Sequence, residues 1–336
     1  MSRERRVTTP RLHPSRLAVH GGRSHLPIDL SASLNPLGPS RLALSAAREA
    51  ELSRYPDPEA AALMAAAAAR HAIQAGAVVP VPGASWGIWF CLVTYGGPGR
   101  SCVALGPCFG EYRRAAEIAG CLYQETDVGL DKSLRSRPDI LLLGNPANPT
   151  GGALTARALT AACEANEGTL FLVDEAFAAF APEGISLVEG RLPPANAIVV
   201  RSLTKELAMP GLRMGYLVAA EETATALRAM LPAWPLSAPA LAAAVAGCAD
   251  VGHIRAGAEV ARRHVRLMAE AMVQAGIEVC PSSANYLFCR APGLIERLAG
   301  RGIAGRDCAS FGLDHHVRLA APSPAELPPV LEALSG

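Results

Sequence analysis

Five apolar runs in the middle of the chain set its architecture. SCVAL (101–105), DILLLG (139–144), TLFLVDEA (169–176), AIVVRSLTK (197–205) and MGYLVA (214–219) are continuous rather than alternating in polarity. A strand with one solvated face alternates apolar and polar residues, whereas a strand covered on both faces stays apolar along its length. Between the runs lie stretches of helical texture, EYRRAAEIAG (111–120) and TARALTAACEAN (155–166). Strand and helix in turn predict an α/β domain built on a mainly parallel sheet. Such sheets bind ligands beyond the carboxyl ends of their strands. The polar residues at those ends are Asn145–Asn148, Asp174–Glu175 and Ser202–Lys205.

The flanks read differently. Residues 17–40 carry Asn-Pro and Gly-Pro pairs and predict an extended arm. Residues 41–71 are helical, broken at RYPDPE by Pro56 and Pro58. From Leu236 the texture changes to a long helical stretch (239–276), short strands at IEVC and ANYLFCR, a helix at LIERLAG, a strand at HHVRLAA and a terminal helix. The expected division is a disordered tail over 1–16, an arm over 17–45 that joins the small domain, a large domain over 46–235, and a smaller α+β domain over 236–336.

Composition narrows the classes. Of 336 residues 50% are hydrophobic, ample for a large core, and a net charge of +1 with 18% charged residues leaves no basic stripe for nucleic acid. Nine cysteines form no C-x-x-C pair, so reduced, buried thiols are expected and no metal site. The arginine-rich start MSRERRVTTPRLHPSR has no apolar stretch behind it and is not a secretory signal. No apolar run reaches the roughly 18–20 residues that span a bilayer. A cytoplasmic protein without membrane contact is expected.

The chemistry concentrates in RSLTKELAMPGLRMGY (201–216), where Arg213 lies eight residues beyond Lys205. A lysine near a basic group in a water-poor pocket loses its proton more readily and can form an imine. Ser202 and Arg213 are suited to a phosphate dianion, the arginine through forked charge-assisted bonds. Alone, Lys205 is equally a solvated lysine at a helix start; the whole string is far more specific. Asp174 ends the strand LFLVD and can keep a pyridine nitrogen protonated, or simply cap the next helix. Asn148 in NPANPTGG can donate to a phenolic oxygen, or belong to an ordinary turn. In VPGASWGIW (81–89) the residues Ala84, Ser85 and Trp86 start a helix whose free N–H groups suit a phosphate. Phe109 can stack on a pyridine ring or serve the core.

These four elements, in this order, resemble the fold-type I pyridoxal-phosphate (PLP) enzymes of the aspartate-aminotransferase superfamily over residues 17–335, and within it the histidinol-phosphate aminotransferase branch. HGG (20–22), DLSASLNPLGPS (29–40), RYPDPE, DEAFAAF, PGLRMGYLV, ANYLF and RDCASFGLD are similar to the L-threonine-O-3-phosphate decarboxylase family of cobalamin biosynthesis, the opening HGG and SASLNPLG being most discriminating. The resemblance implies Lys205 as the cofactor's lysine and Asp174 as partner of the pyridine nitrogen. It implies Asn148 at the phenolate, Phe109 stacked on the ring, and Ala84, Ser85, Ser202 and Arg213 around the phosphate, joined by Tyr55 of a second subunit in a homodimer. Arg318 is implied for the substrate carboxylate, and His20, Gly21 and Arg306 for its side chain and phosphate. Four positions depart from the family: Ser33 replaces an asparagine beside the substrate, P-G-A-S-W replaces the usual phosphate loop, Glu206 stands where an aromatic is common, and Phe177 stands where many transaminases place a tyrosine near the phenolate.

The implied reaction is PLP-dependent decarboxylation of L-threonine O-3-phosphate to (R)-1-amino-2-propanol O-2-phosphate. The alternative is a histidinol-phosphate-type aminotransferase. A non-catalytic PLP-binding regulator or scaffold is a third class. A regulator would carry a basic DNA-binding module, for which no room remains, and a scaffold would have lost Lys205 or Asp174.

Overall fold

The computed structural model describes residues 19–335, so the tail expected over 1–16 lies outside the described residues. Seven strands form the central sheet: β1 (Val78–Val81), β2 (Ser101–Leu105), β3 (Leu122–Thr126), β4 (Ile140–Gly144), β5 (Leu170–Asp174), β6 (Ala197–Ser202) and β7 (Gly215–Val218). Their order across the sheet is β1-β7-β6-β5-β4-β2-β3. Strands β2 to β6 are mutually parallel, and β7 alone runs against its two neighbours. This is the mainly parallel sheet of the fold-type I architecture.

The continuous apolar runs follow from burial on both faces. Successive side chains of a strand point to opposite sides. Accordingly Leu141, Leu143, Phe171, Val173 and Val199 enter one core, and Ile140, Leu142, Leu172, Ile198 and Val200 enter another. The two strands without such a run are the two edges. β1 contains Pro80, tolerated where one side of the strand needs no backbone partner. β3, LYQET, is only partly covered.

The stretch 239–276 is not one helix, as its texture suggests, but two, Ala238–Ala249 and Val251–Gln274. Asp250 breaks it: its carboxylate accepts from the backbone of His253 at 3.3 Å and from Ser40 Oγ at 2.6 Å. Ala240, Ala243, Ala244 and Cys248 of the first helix pack in the same core as β6 and β7. This segment lies beyond the division drawn at 235/236 yet packs on the central sheet.

A second sheet, antiparallel, holds β8 (Val279–Cys280), β9 (Tyr286–Arg290), β10 (Arg306–Asp307) and β11 (His316–Ala320) in the order β10-β11-β9-β8. Ile28–Asp29 pairs in parallel with Ile303–Ala304, and Leu30 exchanges backbone bonds with Ala304 and Ala320. The arm is thereby knitted to this sheet and carried back across the central one. Among the described residues no helix is long and apolar enough to cross a membrane, and no group of side chains suits a metal ion.

Candidate functional site

The carboxyl ends of β4, β5 and β6 open into a cavity of about 400 Å³. It gathers His20, Gly21, Ser33, Ala84, Ser85, Phe109, Asn148, Asp174, Phe177, Ser202, Lys205, Arg213, Arg306 and Arg318 around one space. Two residues named from the sequence lie elsewhere. The Trp86 ring stacks on Phe90, 5.2 Å away, because the third position of a helix already turns its side chain off the axis; only its backbone N–H faces the helix mouth. Tyr55 is 80% exposed and stacks on Trp234 at 4.4 Å, outside the cavity of its own chain.

Lys205 sits in the short helical turn Leu203–Glu206 that follows β6. Burial, and then Arg318 and Arg213, push its ammonium down to about 8 against the pull of Asp174. At neutral pH a usable fraction is therefore free amine. Its Nζ lies 5.9 Å from the centre of the Phe177 ring, which brings no hydroxyl to this wall.

Asp174 ends β5 on the cavity face. Its Oδ2 accepts from the Tyr112 hydroxyl at 2.8 Å and its Oδ1 from the Ala176 backbone at 3.0 Å. Burial outweighs these bonds and lifts its carboxyl above the usual range. Among the described residues it forms no close ion pair. A buried carboxylate so placed is suited to a cationic N–H arriving from the cavity.

Its neighbour Glu175 points to the opposite side. It accepts from Arg201 at 2.9 Å, Ser186 at 2.6 Å and the Leu187 backbone at 2.7 Å. Arg201 also reaches Glu206 at 3.1 Å, and Arg70 pairs with Glu206 at 2.5 Å. Two arginines and two glutamates thus form a buried, neutral network directly behind Asp174 and Lys205. This accounts for Glu206 where an aromatic is expected: its carboxylate closes the network.

The helix Ala84–Tyr95 turns its amino end to the cavity. Gly83 precedes it with φ +92°, and a Cβ there would lie 2.8 Å from Arg213 Nη2. The left-handed conformation favours glycine here, and a side chain would also push the Arg213 guanidinium from its place. Arg213, itself left-handed at φ 57°, is held by its bond to the Pro210 carbonyl at 3.2 Å. Free helix N–H groups, Arg213 and Ser202 together form an anion cradle. The expected PLP fits this wall: a nitrogen partner in Asp174, an amine in Lys205 and a phosphate cradle at the helix start, with Phe109 and Asn148 lining the same cavity.

Of the two asparagines in NPANPTGG, Asn145 is structural. It is fully buried and staples its loop to Leu154 and Ile185. Asn148 faces the cavity and accepts from Arg318 Nη1 at 2.5 Å.

The opposite wall comes from the arm and the small sheet. Arg306 and Arg318 are directly paired across β10 and β11 and so leave the same face. Both are buried, at 7% and 6% exposure, and neither meets a carboxylate among the described residues. Arg306 is held by the Val19 carbonyl at 2.8 Å and Ser310 Oγ at 2.7 Å; Arg318 Nη2 donates to the Ser31 carbonyl at 2.7 Å. Burial lowers both below the usual arginine range, and Arg306 adds to the effect on Arg318. Arg318 Nε and Ser33 Oγ are buried without a partner. Gly21 is required by close approach, since a Cβ there would lie 2.1 Å from the Ser31 carbonyl oxygen.

Sequence reasoning did not single out Glu111 or Thr204, which also line the cavity. Glu111 opens a helix whose sequence carries no chemical motif, and Thr204 sits unremarked inside RSLTK.

A family model described as aminotransferase class I and II matches residues 27–334. The histidinol-phosphate aminotransferase of Nocardia farcinica is 32% identical over 322 residues, covering 87% of this chain and 82% of its own. Histidinol-phosphate aminotransferase 1 of Archaeoglobus fulgidus is 30% identical, covering 91% and 98%. Among solved structures, the histidinol-phosphate aminotransferase of Clostridium acetobutylicum superposes with a TM-score of 0.83 at 25% identity over 92% of this chain and 98% of its own. The L-threonine-O-3-phosphate decarboxylase of Porphyromonas gingivalis superposes at 0.74 and 25%, over 84% and 90%.

Proposed function

Because the chain belongs to the aminotransferase class I and II family, whose cofactor is PLP, we propose that it decarboxylates L-threonine O-3-phosphate to (R)-1-amino-2-propanol O-2-phosphate. The single observation carrying this reading is the cross-strand pair Arg306 and Arg318. Like charges directly opposite on a sheet repel, and among the described residues no carboxylate neutralises these two buried cations. They suit a substrate that brings two anionic groups of its own. Phosphothreonine brings a phosphate and a carboxylate.

Bound PLP supplies an electron sink for whichever bond at the substrate's Cα stands perpendicular to its ring. The residues decide which bond that is. Arg318, fixed by Asn148 and Ser31, grips the α-carboxylate; Arg306 and His20 grip the phosphate at the far end. A substrate held at both ends has little freedom about its Cα–N bond, so positioning carries most of the rate. The Cα–carboxylate bond breaks, carbon dioxide leaves, and a proton takes its place at Cα. Lys205 Nζ, with its affinity for protons near neutrality, is placed to deliver it. Asp174 would pair with the cofactor's ring nitrogen and keep it protonated. In this reading a homodimer completes the cradle: the exposed Tyr55 is offered to a second copy.

A second reading, histidinol-phosphate aminotransferase, has the support of the curated relatives at 30–32% identity. There the arginines would take the phosphate and, in the other half-reaction, the carboxylates of a dicarboxylic 2-oxo acid. Product analysis separates the two. Protein, PLP and phosphothreonine without any 2-oxo acid should give one carbon dioxide and one amino-alcohol phosphate per substrate consumed. No carbon dioxide, together with amino transfer from histidinol phosphate to 2-oxoglutarate, overturns the decarboxylase reading.

A further inference from the structure

We propose that Glu111 is a positioning residue for phosphate specificity: from the large-domain wall it anchors His20, and with it the segment that closes the cavity over the substrate's phosphate. The inference rests on the reading of the site as one for a phosphorylated amine.

Glu111 lies in the first turn of the helix Glu111–Ile118 and is buried at the cavity wall. Its Oε2 accepts from Trp89 Nε1 at 2.9 Å, and its Oε1 from Arg114 Nη1 at 3.1 Å. Arg114 in turn lies over the Trp89 ring. These partners, all from the large domain, fix the carboxylate in place. Its third partner comes from the arm: His20 Nε2 at 3.0 Å. Burial works against the charge, but the bonds from Trp89, Arg114 and His20 hold the carboxyl below its usual range. An ionised carboxylate only accepts, so His20 donates through Nε2. A phosphate oxygen also only accepts, so it bonds Nδ1 in the imidazolium form, in which both ring nitrogens donate, one to Glu111 and one to the ligand.

The neighbouring residue ties the same segment to the other domain, since the Val19 carbonyl accepts from Arg306 Nη2. Residues 19 and 20 therefore span the cavity mouth between Arg306 on the small sheet and Glu111 on the large domain. The His20 ring rests 5.5 Å from Phe109 and its side chain is 37% exposed. Without Glu111, no other polar contact of the ring holds it over the cavity among the described residues. Arg306 would then meet the phosphate without a fixed histidine beside it.

The test uses holoenzyme and follows the cofactor absorbance during titration with phosphothreonine, threonine and inorganic phosphate, so that binding is read without turnover. Glu111→Gln should weaken phosphothreonine and inorganic phosphate by about tenfold, the order of one charge-assisted hydrogen bond, and leave threonine unchanged. His20→Ala should give the same loss, and the double variant no more than either alone. Equal losses for phosphorylated and unphosphorylated ligands, or additive losses, overturn the proposal. Should Glu111→Gln fail to fold, His20→Ala in the surface segment decides alone: retained phosphate preference overturns the proposal. The underlying reading fails separately, if the wild-type protein shows no preference for phosphothreonine over threonine.

Discussion

The two walls of the cavity are built on different terms. The cofactor wall rests on strand ends of one buried sheet, and behind it every charge is matched within the chain. Arg201 bonds both Glu175 and Glu206, the residues that directly follow Asp174 and Lys205. The substrate wall is assembled from the arm and from two short neighbouring strands. It carries two arginines side by side without a counter-charge among the described residues; buried donors without a partner occur on both sides, Arg318 Nε and Ser33 Oγ here and Arg201 Nε behind the cofactor wall. Behind one wall the charges are paired before any ligand arrives, while on the other the two arginines wait for the charge that the substrate brings. A permanent cofactor needs a rigid seat, whereas a substrate supplies the missing charge only when the correct one is present. The same difference gives selectivity, because an analogue without phosphate or carboxylate leaves a buried cation unmet.

Breaking the cofactor wall should produce the largest effect. Asp174→Asn removes the charge that keeps the ring nitrogen protonated and should slow turnover by about 10²–10³-fold, the order seen for loss of a preorganised electrostatic partner. Rates within a few-fold of wild type would show that the seat works without it. The matched charges behind the wall come next. Arg201→Met leaves Glu175 without a cation and Glu206 with Arg70 alone. It should cost about 3–5 kcal/mol of stability, read as a lowered denaturation midpoint. A change below about 1 kcal/mol would mean the network is incidental.

The pH dependence of cofactor capture sharpens the comparison further. With the Lys205 ammonium pushed down to about 8, the reactive free amine grows as pH rises and saturates above that value. Capture of PLP by apoprotein should accelerate up to about tenfold per pH unit below 8 and level off above it. A rate still rising steeply at pH 10 would indicate a lysine at its ordinary value.

The two walls also differ in how far the sequence discloses them. Lys205, Ser202 and Arg213 occupy one short string, and Asp174 ends an apolar run, so buried strands point directly to the seat. The substrate wall joins residues 20–33 to 306 and 318, and only family resemblance brings His20, Gly21, Ser33, Arg306 and Arg318 together. Glu111 left no signal at all, because its partners Trp89, Arg114 and His20 meet only in three dimensions. The missed strands β1 and β3 are sheet edges, where Pro80 and polar side chains are tolerated and the apolar pattern fades. Asp250 hid within a continuous helical texture, since helix periodicity runs unbroken through a residue that caps one helix at the end of another. Trp86 is a related case: its position at a helix start locates its backbone N–H but not its ring.

The central claim, that the paired arginines orient a doubly anionic substrate for loss of its carboxylate, is tested most directly by competition in one vessel. Phosphothreonine labelled at its carboxyl carbon, histidinol phosphate and 2-oxoglutarate are supplied together to the holoenzyme, and label release is followed beside phosphorus NMR. The account predicts that label leaves as carbon dioxide in step with a new amino-alcohol phosphate signal, while histidinol phosphate persists. Consumption of histidinol phosphate with all label retained would contradict it.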